Sequence, residues 1–224
     1  MMRGVRKPIM ARTTRSNSTS ILFIGNSFTQ RNNLPRLLAE LAAARGVELE
    51  HELISRGGAS LRNHWNAGEA AKAIQNGGYD YVVLQEQSTL PMKNAKRMAE
   101  NVRLFDEVIK RSGAKTVLYM TWARKHAPET QQVIADAYNA IGNELGAIVV
   151  PAGLAWQRFL MKHKSPVLHD RHQSHPTLAG SYLAACVFFA SLWKQNPAGI
   201  EMVPVGLDRQ ELALLQSAAE PFGT

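Results

Sequence analysis

The chain has 224 residues, 45% hydrophobic and 20% charged, with 26 basic and 18 acidic side chains for a net charge of +8. Five of those eight charges fall in residues 1–20, where Arg3, Arg6, Lys7, Arg12 and Arg15 meet no acid, so the body is nearly balanced. That argues against a surface built to grip nucleic acid. The lone Cys186 excludes internal disulfides and cysteine-based metal sites, and no run approaches the roughly 18 apolar residues of a membrane span.

Residues 1–19 read as a disordered basic tail without the apolar stretch of a secretory signal. Residues 20–224 read as a single domain, long enough for one sizeable core and expected in the cytoplasm, with Cys186 as a buried, inert thiol. Within it, "SILFIG" (20–25) predicts a buried strand closed by glycine. Residues 33–45 place Leu34, Leu37, Leu38 and Leu41 at helical spacing. "VELEHELIS" (47–55) predicts a second strand, broken by Gly57-Gly58, and 60–78 a helix capped by a glycine pair. "YDYVVLQ" (79–85), "AKTVLYMTWA" (114–123) and "GAIVVPAG" (146–153) predict three more strands. Helices are expected over 92–111, 128–145, 154–163, 177–195 and 208–219, with a polar loop at 164–176. Five apolar strands alternating with helices predict a three-layer α/β/α sandwich around a five-stranded parallel sheet.

In such sheets the ligand crevice lies beyond the carboxyl ends of the strands. Those ends carry Gly25-Asn26-Ser27, Arg56-Gly57-Gly58, Gln85-Glu86-Gln87 and Thr121-Trp122. A late loop adds His169, Asp170, His172 and His175 before Pro176 and an apolar helix. Each feature has a plain reading. Ser27 could cap a helix; the glycines could only turn the chain; a buried Gln could simply satisfy neighbours. The histidines and Asp170 could be structural, or could ligate zinc as a His-x-x-His pair with a carboxylate. Together the same residues form an acyl-transfer kit: a hydroxyl nucleophile, a base and donors for an oxyanion.

Four blocks in order resemble the SGNH (GDSL-type) hydrolase superfamily. "FIGNSFT" resembles its first block, with Asn26 where many members have Asp. "SRGGAS" resembles the second, "YVVLQEQS" stands at the third, where the family has Gly-x-Asn-Asp, and "SHPTLAGSYLAA" resembles the last. The resemblance implies a flavodoxin-like fold with Ser27 as nucleophile and His175 as general base. It also implies an oxyanion hole of the Ser27 and Gly58 N–H groups, with Gly57 as alternate. Gln85 takes the place of the family's Asn donor, with Gln87 in reserve. The family's orienting Asp stands three residues before the base; that position here is His172. Asp170, five residues before His175, is the expected orienter, with His172 or a backbone carbonyl as alternate. The implied activity is a cofactor-free, metal-free serine esterase. Its expected substrate is a small or carbohydrate-linked ester with a short acyl group such as acetyl, and Trp65, Trp122 or Trp156 could face a sugar. The competing reading is a flavodoxin-like binding module with a weak or inactive site.

Overall fold

A computed structural model describes residues 18–202 and 204–219, so residues 1–17 of the expected basic tail lie outside the described residues. The first strand, β1 (Ser18–Gly25), begins two residues inside the segment assigned to that tail. The other strands are β2 (Glu48–Ser55), β3 (Tyr81–Leu84), β4 (Lys115–Tyr119) and β5 (Ile148–Val150). They form one five-stranded parallel sheet in the order β2-β1-β3-β4-β5.

The helices follow in chain order. They are α1 (Ser27–Gln30), α2 (Leu34–Ala43), α3 (Leu61–Ala67), α4 (Glu69–Asn76), α5 (Leu90–Lys93), α6 (Ala95–Ser112), α7 (Gln131–Leu145), α8 (Ala152–Lys162), α9 (Leu178–Trp193) and α10 (Arg209–Ala218). The single helix expected over 60–78 is two, because Gly68 adopts φ 77° and breaks it. Strands four and five end earlier than expected, and Met120–Ala123 leaves the sheet toward its carboxyl edge.

The alternation of strand side chains explains the continuous apolar runs. Ile21, Phe23, Val83, Val117 and Tyr119 pack on one face with α2, α8, α9 and α10. Leu22, Ile24, Val82, Leu84 and Leu118 pack on the other with α3, α4, α6 and α7. Strand β2, at the edge of the sheet, departs from that pattern: Glu48, Glu50 and Glu52 are exposed on one face, and His51 is exposed on the other. Helix α9 is buried nearly all round, Cys186 included, and burial pushes the Cys186 thiol up. Among the described residues no helix is long and apolar enough to cross a membrane.

The chain runs from β1 outward to β2, then crosses back to β3 on the other side of β1. The switch point therefore opens a crevice between the carboxyl ends of β1 and β3. Gly25-Asn26-Ser27 and Gln85-Glu86-Gln87 leave their strands there.

Candidate active site

Asn26 follows β1 in an extended conformation and caps the one-turn helix α1, its Oδ1 accepting the Phe28 N–H at 3.1 Å. Ser27 is the first helical residue, so its N–H has no helical carbonyl to reach. Because Asn26 does the capping, the Ser27 hydroxyl is left for another partner. That partner is His175: Oγ and Nε2 are 2.9 Å apart, across 148 residues of chain.

The turn is held from three sides. Gln85, fully buried, accepts the Asn26 N–H at 2.9 Å and the Thr29 hydroxyl at 3.1 Å. His64, buried in α3, bonds the Gly25 carbonyl through Nε2 at 2.7 Å. Asn26 Nδ2 donates to the Ala59 carbonyl at 2.9 Å, and Arg56 N–H reaches the Gly25 carbonyl at 3.3 Å. These last two bonds dock the Arg56–Ala59 turn beside Ser27. In that turn Gly58 has φ +68°, a left-handed conformation that favours glycine, and its N–H has no partner among the described residues.

Asn26 thus uses both ends of its amide, as acceptor for the cap and as donor to Ala59. An Asp at this position would keep the first and set an oxygen against the Ala59 carbonyl. Asn26→Asp is expected to lower stability by about 1–3 kcal/mol, measured by urea unfolding. An unchanged midpoint would show that Ala59 finds another donor.

His175 is half-buried and packs against Phe28 with ring centroids 5.1 Å apart. Phe28 continues into Trp122 at 5.3 Å, and Trp122 stacks on Trp156 at 3.6 Å and 3°. Trp122 Nε1 donates to the Ser174 carbonyl at 2.9 Å, fixing the residue before His175. From the Ser27 side, Asn32 Nδ2 lies 3.0 Å from the Thr177 carbonyl and 2.9 Å from Ser181 Oγ. The segment after Ser27 therefore clamps the segment after His175.

The carboxylate expected behind His175 is not there. Asp170 Oδ2 takes the Arg31 guanidinium at 2.6 Å and Oδ1 takes the His172 N–H at 2.9 Å. The tie between Asp170 and His175 is through the backbone, Asp170 N–H to the His175 carbonyl at 2.8 Å. The side-chain atom nearest Nδ1 in hydrogen-bond terms is Ser174 Oγ at 3.3 Å. Burial opposes ionisation of Asp170, but the Arg31 and His172 hydrogen bonds and the nearby Arg31 and His175 charges hold its carboxyl below the usual range. His172 is exposed, with the Arg171 Nε donating to its ring at 3.2 Å, and does not orient His175.

Burial lowers the pKa of His175, and the Arg31 charge adds to it; Asp170 opposes, and Arg124 and His172 contribute further lowering. The imidazole is thus held neutral, as a base requires. His169, the first of the cluster, is buried with Nε2 on the Ala123 carbonyl at 3.0 Å. Among the described residues no three His, Cys, Asp or Glu side chains gather as a metal site.

No family model and no curated protein matches the chain. Solved structures do. A DUF4886-family protein from Bacteroides uniformis superposes with TM-score 0.76 at 24% identity, over 90% of this chain and 93% of its own. A protein from Slackia heliotrinireducens described as a candidate SGNH hydrolase superposes with TM-score 0.68 at 28% identity, over 79% of this chain and 100% of its own. The chain has the fold of the SGNH hydrolases. An acetylxylan esterase from Geobacillus stearothermophilus shares that fold, with TM-score 0.57 at 15% identity over 77% of this chain and 93% of its own.

Measured against the SGNH blocks, two expectations change. Gln85 offers no donor to the crevice, because its Nε2 is turned onto the Glu86 carbonyl and its Oε1 onto the Ser27 turn. Gln87 is half-buried, with Oε1 accepting the Thr89 N–H at 2.9 Å. The tryptophans are packing residues: Trp122 and Trp156 are 2% and 0% exposed, and Trp65 meets Phe105 edge-on at 5.3 Å. Sequence reasoning missed Arg31, Asn32, His64 and Ser174. Only Ser174 carried a signal, its place beside His175; the others act across the fold and leave no local pattern.

Proposed function

We propose that this SGNH-fold protein is a serine ester hydrolase working through an acyl-enzyme, with Ser27 as nucleophile and His175 as general base. The observation that carries the reading is the 2.9 Å contact between Ser27 Oγ and His175 Nε2 at the switch point of the sheet. In this reading Nε2 takes the Ser27 proton as Oγ attacks the ester carbonyl, then returns it to the departing alcohol. The Ser27 and Gly58 N–H groups receive the oxyanion, each donor of this type contributing about 2.7–4 kcal/mol. Water then repeats the sequence on the acyl-enzyme. Ser174 Oγ, the Phe28 ring and the backbone bond from Asp170 orient the imidazole, in place of a carboxylate. The proposed substrate is a small or carbohydrate-linked ester with a short acyl group; the acetylxylan esterase of the same fold supports that class.

A fluorophosphonate probe should label Ser27, and the protein should hydrolyse 4-nitrophenyl acetate; failure of both would sink the reading. The second reading, a binding module with a degenerate site, is favoured by the separation of Asp170 from His175 Nδ1 and predicts that double failure.

The pH profile tests the base. A neutral His175 is the active form and its pKa lies below the usual 6.5, so the acid limb of kcat/KM should fall below pH 6.5. In Arg31→Met the cation that disfavours imidazolium is gone and Asp170 is released from its ion pair. Both changes raise the His175 pKa, so the limb should move upward. A limb that stays or moves down would show that another group titrates.

A further inference from the structure

The Arg124 side chain makes no hydrogen bond or ion pair among the described residues, and its Nε is buried without a partner. A guanidinium left in this state is costly unless something fills the gap. It stands between two cavities. One, of about 430 Å³, is lined by Arg124 with Gln87, Lys93, His126 and Thr130, and no acid faces it. The other, also about 430 Å³, has an apolar wall that includes Trp122, Trp156 and Leu160. Its one acid, Glu129, makes no ion pair with Arg124 among the described residues.

Gln87 adds a second donor to the basic cavity. Its Oε1 is fixed by the Thr89 N–H at 2.9 Å and hydroxyl at 3.0 Å, which leaves Nε2 without a partner among the described residues. Lys93 is exposed at the carboxyl end of α5. The segment that carries Arg124 is tied to the loop that carries His175: Trp122 Nε1 donates to the Ser174 carbonyl at 2.9 Å and the Lys125 N–H to the Gln173 carbonyl at 3.0 Å.

We propose that Arg124, with Lys93 and Gln87, forms a subsite for a carboxylate carried by the substrate away from its ester carbonyl, so that the enzyme prefers anionic esters. The planar fork of a guanidinium matches a carboxylate with two parallel hydrogen bonds, and the amide and ammonium supply further donors. The proposal rests on the esterase reading of Ser27 and His175, and names the substrate class of that site.

The test compares 4-acetoxybenzoate with its neutral methyl ester. Wild type should show kcat/KM higher for the anionic ester by about tenfold or more, mainly through KM. In Arg124→Gln the ratio of the two should fall to about one; taking the ratio cancels any effect of the lost charge on His175. Lys93→Gln, at an exposed position, should lower the ratio in part and keeps the test open if Arg124→Gln does not fold. Equal rates on both esters in wild type, or a preference that survives in Arg124→Gln, would overturn the subsite. A separate arm titrates 4-hydroxybenzoate into Ser27→Ala by calorimetry. If no ester is turned over, the esterase reading fails, while saturable binding that Arg124→Gln abolishes still supports the subsite. The absence of both binding and preference overturns it.

Discussion

Replacing Ser27 with alanine should reduce 4-nitrophenyl acetate turnover by on the order of 10⁴-fold or more and abolish fluorophosphonate labelling. The size follows from what the substitution removes and what it leaves. The proposed Oγ nucleophile is lost, while the N–H groups of residue 27 and Gly58 remain, so any residual rate comes from oxyanion stabilisation alone. Folding should be spared. The Ser27 hydroxyl has His175 as its hydrogen-bonding partner, the site is half-buried, and Asn26 does the capping, so the stability change should stay within about 1 kcal/mol. A folded Ser27→Ala protein that keeps turnover within tenfold of wild type would place the nucleophile elsewhere. Loss of activity together with loss of fold would leave labelling of wild type at Ser27 as the deciding observation, because a capping serine has no reason to react.

Gln85→Leu should cost about 3–5 kcal/mol of stability, read from the urea midpoint. Leucine is close in size, so the cavity contribution is small. The cost comes from two donors left buried and unpaired, the Asn26 N–H and the Thr29 hydroxyl, at about 1–3 kcal/mol each. A third bond, from Gln85 Nε2 to the Glu86 carbonyl, is lost as well. Activity should fall as the Ser27 turn loosens, through displacement rather than through a missing oxyanion donor. The two roles separate cleanly. A Gln85→Leu protein with the wild-type midpoint and a kcat lowered a hundredfold would restore Gln85 to the oxyanion hole. A protein with a lowered midpoint whose kcat recovers under stabilising co-solvent would fit the support role.

The support role also explains why Gly25 stands before Asn26. A Cβ there would lie 2.7 Å from both Gln85 Oε1 and Thr29 Oγ1, inside the bonded cluster. At the base's end, a Cβ on Gly180 would meet Trp156 at 2.4 Å and the Leu168 carbonyl at 2.6 Å. Each glycine lets an element of the site approach something that cannot move: a buried amide in one case, a stacked indole and a main-chain oxygen in the other.

The apolar runs of residues 20–25, 79–85 and 114–123 were enough to predict the parallel sheet, because a strand covered on both faces has no polar position to disguise it. The same spacing placed Ser27 and His175 at the carboxyl edge, since a strand's end and the start of an apolar helix are local events. The first residue's freedom from capping duty could not be read: it depends on Asn26 turning its Oδ1 to Phe28 and its Nδ2 to Ala59, and the second partner is 33 residues away. The fate of Asp170 was equally hidden. The SGNH resemblance suggested Asp170 as the orienting carboxylate, but the fold brings Arg31, 139 residues away, onto it. A charge pairs with the strongest partner that three dimensions bring near, and sequence spacing ranks only the local ones. The sequence by itself therefore determined the sheet and its helical layers, and it singled out Ser27 and His175 as the candidate pair. The tertiary structure alone decided which groups hold that pair in place, because those bonds join segments whose proximity exists only once the sheet has formed.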